Sequence, residues 1–386
     1  MILTHCASCA SPLGLTLGKK CGRCSTRYCG AECQVQHWKE GGHDQLCKPI
    51  KKAGGAEQYN ANSRYSEAVA VAVEKCAEDT KGQTCFICTE ALHLKTKEGL
   101  VRGCACRGTA GFAHVSCLAE QAKLLFEEAE YNNLDVKVMQ ARWSRWHTCS
   151  LCEQMYHGVV MHALGWACWK TYLARPETDQ ARVLAMSVLG NGLSIAEHHE
   201  DALSVKEAQL SMKRRLGVPE GSILVAQSNI ATTYRKLGQH ERALQMQRDV
   251  YSGWMKLCGE EHEDTLLAAL NYADALTSLE RFEEAKALSR KATAVAQRVL
   301  GENHEDTLRL RWIYATTLCR DDAATLADLR KAVTTLEEVE QNIQRVFGRA
   351  HPLTGGIGGD LRNARAALAA RDVEALGDAL GALGAA

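Results

Sequence analysis

Apolar positions along this 386-residue chain fall mostly at helical intervals. Val69, Val71, Ala72 and Val73 set one such pattern inside Asn62 to Asp79, with charged residues on the outer face, and predict a linker helix. A second helix is predicted from Leu118 to Tyr131. Residues 157–173 carry Trp166, Trp169 and Tyr172 at helical spacing, which reads as a core stripe on a connecting helix. The most apolar run, Val159 to Trp169, is too short to span a bilayer and carries His162.

From residue 175 the pattern becomes periodic. Gly217, Gly259 and Gly301 are each 42 residues apart, and Gly348 follows after 47. The same string recurs as Gly259, His262, Thr265, then Gly301, His304, Thr307, then Gly348, His351, Thr354, with Arg175-Pro-Glu-Thr178 as a degenerate first copy. Each unit reads as helix, turn, helix. Asn229 to Tyr234 opens one helix and Glu241 to Leu244 the next; Asn271 to Ala273 and Glu284-Ala285 are the equivalents, and Gly238 marks a turn. Four units are predicted over 178–217, 221–259, 263–301 and 305–348, with a closing helix after Thr354. Ala202, Ala243 and Ala285 are small where helices must cross closely. The recurring His and Thr read as helix-start residues, with Thr or Asp capping free amides. The histidines are a repeat apart, too far to share a metal.

Charge and composition narrow the picture. Lys plus Arg equals Asp plus Glu at 46 each, so the whole chain offers no field for nucleic acid or acidic lipid. With 46% hydrophobic and 24% charged residues it is a globular protein. The opening Met1-Ile-Leu-Thr-His-Cys6 has neither a basic stretch nor a long apolar run, which predicts an intracellular protein, cytoplasmic or nuclear. In a reducing compartment clustered cysteines are metal ligands before they are disulfides.

The cysteines are clustered. Fourteen of 18 fall into two blocks, each with seven cysteines and one histidine. The first block is Cys6, Cys9, Cys21, Cys24, Cys29, Cys33, His43 and Cys47; the second is Cys85, Cys88, Cys104, Cys106, His114, Cys117, Cys149 and Cys152. Eight ligands per block is the complement of two tetrahedral zinc ions, hence four zinc ions per chain. The order of pairs allows a cross-brace. Cys6, Cys9, Cys29 and Cys33 would share one ion, and Cys21, Cys24, His43 and Cys47 the other. The remaining Cys76, Cys168, Cys258 and Cys319 stand alone in helix-like stretches and read as small buried apolar residues.

At Cys21-Gly-Arg-Cys24, Tyr28-Cys29-Gly-Ala-Glu-Cys33-Gln34, His37-Trp38 and His43-x3-Cys47 the chain resembles the MYND zinc finger. The resemblance makes His43 the ligand, leaving His37 as a short-helix residue beside the packing residue Trp38. It implies binding of short, often proline-containing peptides. Residues 1–52 hold eight Lys or Arg against three acids, and seven thiolates with two zinc ions remove most of that excess, so the module has little grip on phosphates.

Seven residues separate Cys106 from His114, and Cys104-Ala-Cys106 is followed by Arg-Gly-Thr. Here the chain resembles the RING-CH (RING-variant) finger. A plant-homeodomain finger shares the ligand order but usually has a wider third-to-fourth gap and a shorter gap to the histidine. The cross-brace would group Cys85, Cys88, His114 and Cys117, and Cys104, Cys106, Cys149 and Cys152. The resemblance implies a ubiquitin ligase that holds a charged conjugating enzyme by an apolar surface, with Ile87 and the region of Leu118 as contacts. The tryptophan expected three residues beyond Leu118 is Gln121, which speaks against that contact.

The repeats resemble tetratricopeptide repeats of the kinesin-light-chain type, which implies a peptide groove gripped by an asparagine on each inner helix. Asn229 and Asn271 match that place; Val188 and Ile313 do not. The expected protein is mostly α: two small cross-brace zinc modules followed by an α-solenoid. Its parts are a MYND finger at 1–52, a helical linker at 53–80, a RING-CH-like domain at 81–156, a connecting helix at 157–174, a repeat array at 175–372 and a flexible C-terminal tail at 373–386. The expected function is an adaptor that recruits partner proteins through finger and groove, with a ligase as the alternative. No Walker loop, HExxH or nucleophile elbow is present.

Overall fold

The computed structural model describes residues 5–11, 13, 18–347 and 352–384. Two compact units emerge, Met1–Val218 and Pro219–Ala386. Gly348 and His351 of the last repeat string lie outside the described residues.

The first unit opens with a two-stranded antiparallel ribbon, β1 (Lys19–Lys20) and β2 (Arg27–Tyr28), in which Lys19 faces Tyr28. Helices α1 (Ala31–Lys39) and α2 (His43–Lys52) follow. Helix α3 (Ala56–Cys76) leads to a loop-rich zinc region, from which α4 (Val115–Tyr131) and α5 (Val136–Trp143) project. Asp135 caps α5 by accepting from the Lys137 and Val138 amides, and the last turn tightens into a 3-10 turn at Ser144–Trp146.

Helix α6 (Gly158–Tyr172) is buried nearly all round, which explains its almost unbroken apolar sequence. It packs on α3, α4 and α7 (Gln180–Ile195). Its approach to α7 is set by glycine: a Cβ on Gly192 would sit 2.8 Å from the Met161 carbonyl oxygen. Helix α8 (His199–Leu216) completes the pair with α7, and one apolar core runs from Ala61 on α3 to Met212 on α8. The division at Val218 therefore leaves one helix pair of the stretch read as an array inside the core of the first unit.

The second unit is a run of antiparallel helix pairs: α9 (Glu220–Lys236) with α10 (His240–Cys258), α11 (Glu263–Ser278) with α12 (Phe282–Val299), and α13 (Glu305–Arg320) with α14 (Leu326–Phe347). Helix α15 (Pro352–Gly384) packs on α13 and α14. Ala243 and Ala285 are buried, as is Ala202 in the first unit, in keeping with close crossings. Gly238 and Glu280 occupy the same left-handed turn position, at φ 73° and 59°. In both turns the amide after that residue donates back to an α-helical carbonyl, Gln239 to Tyr234 and Arg281 to Leu276.

Two readings need correction. At α11 and α13 the helix cap is the histidine, not Thr or Asp, whereas Asp179 does cap α7 by accepting from the Ala181 amide. His262 and His304 accept from the Asp264 and Asp306 amides through Nδ1, each at 3.3 Å, while Thr265 and Thr307 are buried in the first turn. Burial wins because the third helical position faces the core. Of the lone cysteines, Cys76 and Cys168 are buried and Cys319 is half-buried, but Cys258 is exposed, because it ends α10 beside the turn glycine Gly259. Among the described residues no helix is long and apolar enough to cross a membrane.

Candidate zinc centres and peptide groove

Four Cys-x2-Cys segments form one and the same turn. In each, the residue after the second cysteine is left-handed without being glycine: Ala10, Ser25, Thr89 and Glu153, at φ 56° to 65°. Its amide donates to the carbonyl of the first cysteine at 2.8 to 3.0 Å, and the first cysteine's amide donates five residues onward, to Ser11, Thr26, Glu90 and Gln154. That double closure turns both thiols to one side. The turn occurs a fifth time without cysteine at His93–Glu98. There His93 Nδ1 and Thr96 Oγ1 stand 2.8 Å apart where the other turns have their two thiols.

Each turn is completed by a second pair. The ligand atoms group as Cys6, Cys9, Cys29, Cys33; Cys21, Cys24, His43, Cys47; Cys85, Cys88, His114, Cys117; and Cys104, Cys106, Cys149, Cys152, with all atoms of a group within 4.8 Å of one another. These are the two interleaved cross-braces. Zinc at ~2.3 Å from each sulfur in a tetrahedron spaces sulfurs at about 3.8 Å. Cys21 and Cys47 Sγ are 3.9 Å apart, Cys106 and Cys149 3.8 Å, and Cys9 and Cys29 3.6 Å. The donor set is all sulfur and imidazole, the chemistry of structural zinc, and four such groups fit four zinc ions.

The two histidines present different nitrogens. His43 turns Nε2 to Cys24 Sγ at 3.4 Å. His114 turns Nδ1 to Cys88 and Cys117 at 3.4 and 3.6 Å, and its Nε2 lies 3.4 Å from the Ala91 carbonyl oxygen, which would fix the tautomer. His37 stays out of the first block's clusters, its Nδ1 within 2.9 Å of the Tyr28 hydroxyl. Trp38 is partly exposed, its ring edge-on to that of His43. The thiols also strain against one another. Hydrogen bonding from Cys104 draws Cys149 down to about 4, while burial and neighbouring thiols hold Cys106 at about 11. A divalent cation removes that conflict by favouring every thiolate at once.

The positions singled out for a conjugating enzyme are dispersed in burial. Ile87 sits at the first turn of the second block, 36% exposed; Leu118 is inside the core at 4%; Gln121 is half-buried on α4. Leu151, at the corresponding turn position of the last Cys pair, is 51% exposed and was not singled out from sequence.

In the second unit the inner helices α9, α11 and α13 line a groove of about 580 Å³. Asn229 and Asn271 both face it, and Asn271 donates to Ser228 Oγ at 3.3 Å. Ile313 occupies the matching place on α13, whereas Val188 on α7 is buried. Residues missed from sequence complete the lining. Arg235 pairs with Asp274 at 3.0 Å, and the Trp312 indole donates to Asp360 of α15 at 2.7 Å. Helical spacing from the two asparagines could have found Thr232 and Asp274, three residues on, and from Ile313 it points to Thr316 and Arg320.

Comparison with known proteins agrees with this geometry. A MYND finger model matches residues 6–47, a RING-variant domain model residues 85–131, and a tetratricopeptide repeat model residues 222–294 and 264–324. The RING-variant match stops before Cys149 and Cys152, which the fold returns to Cys104 and Cys106. No curated protein matches the chain. Among solved structures, a Podosopora anserina protein described as a kinesin light chain with nearly identical TPR-like repeats is 17% identical, over 60% of this chain and 97% of that one, with TM-score 0.41. BtubC (BKLC) from P. vanneervenii is 15% identical, over 68% and 92%, with TM-score 0.36. Likenesses this loose carry no argument, and the repeat assignment rests on the family model and the helix pairing. The chain carries a MYND finger, a RING-variant domain and tetratricopeptide repeats, a set of zinc-binding and protein-interaction modules.

Proposed function

We propose that the protein is a zinc-stabilised adaptor whose repeat groove grips an extended peptide segment of a partner protein, with the MYND finger as a second peptide-binding module. The observation that carries this reading is the 580 Å³ groove with Asn229 and Asn271 on successive inner helices. Side-chain amides can both donate to and accept from a peptide backbone, and Trp254, Leu267 and Trp312 offer apolar surface for its side chains. A peptide selected from a display library on the full chain tests it. Asn229→Ala with Asn271→Ala should weaken that peptide by roughly 1–3 kcal/mol without lowering the unfolding midpoint. Unchanged affinity would move the site to the MYND finger.

A ligase is the second reading, and the exposure of Ile87 at a zinc turn is what favours it. Ile87→Ala should then cut ubiquitin discharge from a conjugating enzyme by about tenfold or more, since full burial of such a side chain stabilises a contact by ~1.5–3 kcal/mol. Zinc content should stay the same, and Gln121→Trp should raise activity. No discharge with any conjugating enzyme, in any of these variants, leaves the adaptor alone.

A further inference from the structure

Several cations of the repeat unit are matched with acids, as in Lys291 with Glu260, Lys286 with Asp321 and Arg311 with Glu338. Arg290 on α12 and Lys331 on α14 are held differently. Neither has a carboxylate within ion-pair distance among the described residues. Both instead point at one atom on the helix between them: Arg290 Nη2 donates to the Tyr314 hydroxyl oxygen at 3.3 Å and Lys331 Nζ at 3.2 Å. Both heads also lie over the Tyr314 ring, at 5.6 and 5.2 Å from its centroid. The nearby acids are engaged elsewhere. Glu283 pairs with Lys286, and Asp328 accepts from the amide and hydroxyl of Thr325.

Two cations brought to one neutral oxygen repel each other, and a phenol oxygen offsets little of that. Burial by itself would raise the Tyr314 phenol, yet the hydrogen bonds from Arg290 and Lys331 outweigh it and bring it below the usual tyrosine range. The phenol proton remains available to donate. An arriving oxyanion would meet a guanidinium, an ammonium and a hydroxyl from three successive helices. Tyr314 does not line the groove, although its neighbours Trp312 and Ile313 do.

We propose that Arg290, Tyr314 and Lys331 form an oxyanion site on the repeat unit, apart from the peptide groove, that takes a phosphate or carboxylate group borne by a partner protein. This goes beyond the groove reading and does not depend on it. The test uses the zinc-loaded full chain at fixed ionic strength. Inorganic phosphate, acetate and chloride are titrated in parallel, read by calorimetry and by tyrosinate absorbance across alkaline pH.

Phosphate, acetate or both should bind saturably and push the ionisation of one tyrosine to higher pH; the anion that does so names the source of the group. Arg290→Gln with Lys331→Gln should weaken binding by about tenfold or more. Lys331→Arg, which keeps the charge, should retain it. Tyr314→Phe should abolish the absorbance response. The proposal fails if neither anion saturates, if chloride acts equally, or if the double variant binds as wild type. A lowered unfolding midpoint in the double variant passes the decision to Lys331→Arg and Tyr314→Phe.

Discussion

The first zinc block, residues 6–47, and the second, residues 85–152, share one turn and one cross-brace, and what surrounds the metal sites differs. The buried cluster of the first block is Cys6, Leu13, Cys21, Cys24, Tyr28, Cys47, Ile50 and Ala56, so half of it is ligand. The second block sits in a core that continues through α3, α4, α6 and α7. Phe126, Trp143, Trp146 and Tyr172 meet there, with ring centroids from 4.8 to 6.4 Å apart. The tips of the shared turn differ too. They are Ser8 and Arg23 in the first block and Ile87 and Leu151 in the second. The same metal chemistry therefore makes one module whose fold is the metal and another in which metal pins loops onto an existing hydrophobic core.

The largest effect should come from removing one ligand in each block. Structural zinc contributes about 10–16 kcal/mol to small zinc modules. Cys21→Ser should cost the first block its fold, seen as rapid proteolysis before residue 53 and zinc content below four, with the thermal transition of the repeats unchanged. Cys85→Ser should also lower zinc content but leave α4, α6 and α7 protected. Equal proteolysis in the two variants would erase the distinction.

Next in size is Trp146→Ala, which empties a fully buried site. It should destabilise the first unit by about 3–5 kcal/mol in denaturant while zinc content holds. Loss of zinc alongside would mean that core and metal sites of the second block form together.

The smallest effect probes what the blocks share. Ser25→Gly and Glu153→Gly each relieve a left-handed residue on an exposed turn. Each should strengthen zinc retention against a chelator by about 0.5–1 kcal/mol. A clear inequality between them would show that the turns are not equivalent in energy.

Much of this was legible in the chain itself. The four groups of Cys and His that the fold brings together were, because thiolates and imidazoles must be spelled out at turn spacing before any metal can bind. So were the helix pairs, since a 42-residue period with Gly217, Gly259 and Gly301 repeats both the apolar face and the turn. His43 over His37 followed from resemblance, and the hydrogen bond between His37 and Tyr28 gives the physical reason.

What the tertiary structure alone decided are relations between segments distant along the chain. The grouping of Cys149 and Cys152 with Cys104 and Cys106 was expected from the sequence, but the aromatic cluster that folds α4 and α5 back between the two pairs was not. The capping by His262 and His304 rather than Thr depends on which residue faces the core, a matter of helix orientation. The helix pair α7–α8 has repeat-like sequence but joins the core of the first unit, because glycines let α6 and α7 approach closely. Arg290, Tyr314 and Lys331 come from three helices and carry no shared motif. Sequence determines local chemistry and period; packing determines which of those local pieces meet, since burial and close approach are properties of pairs of segments and not of either one.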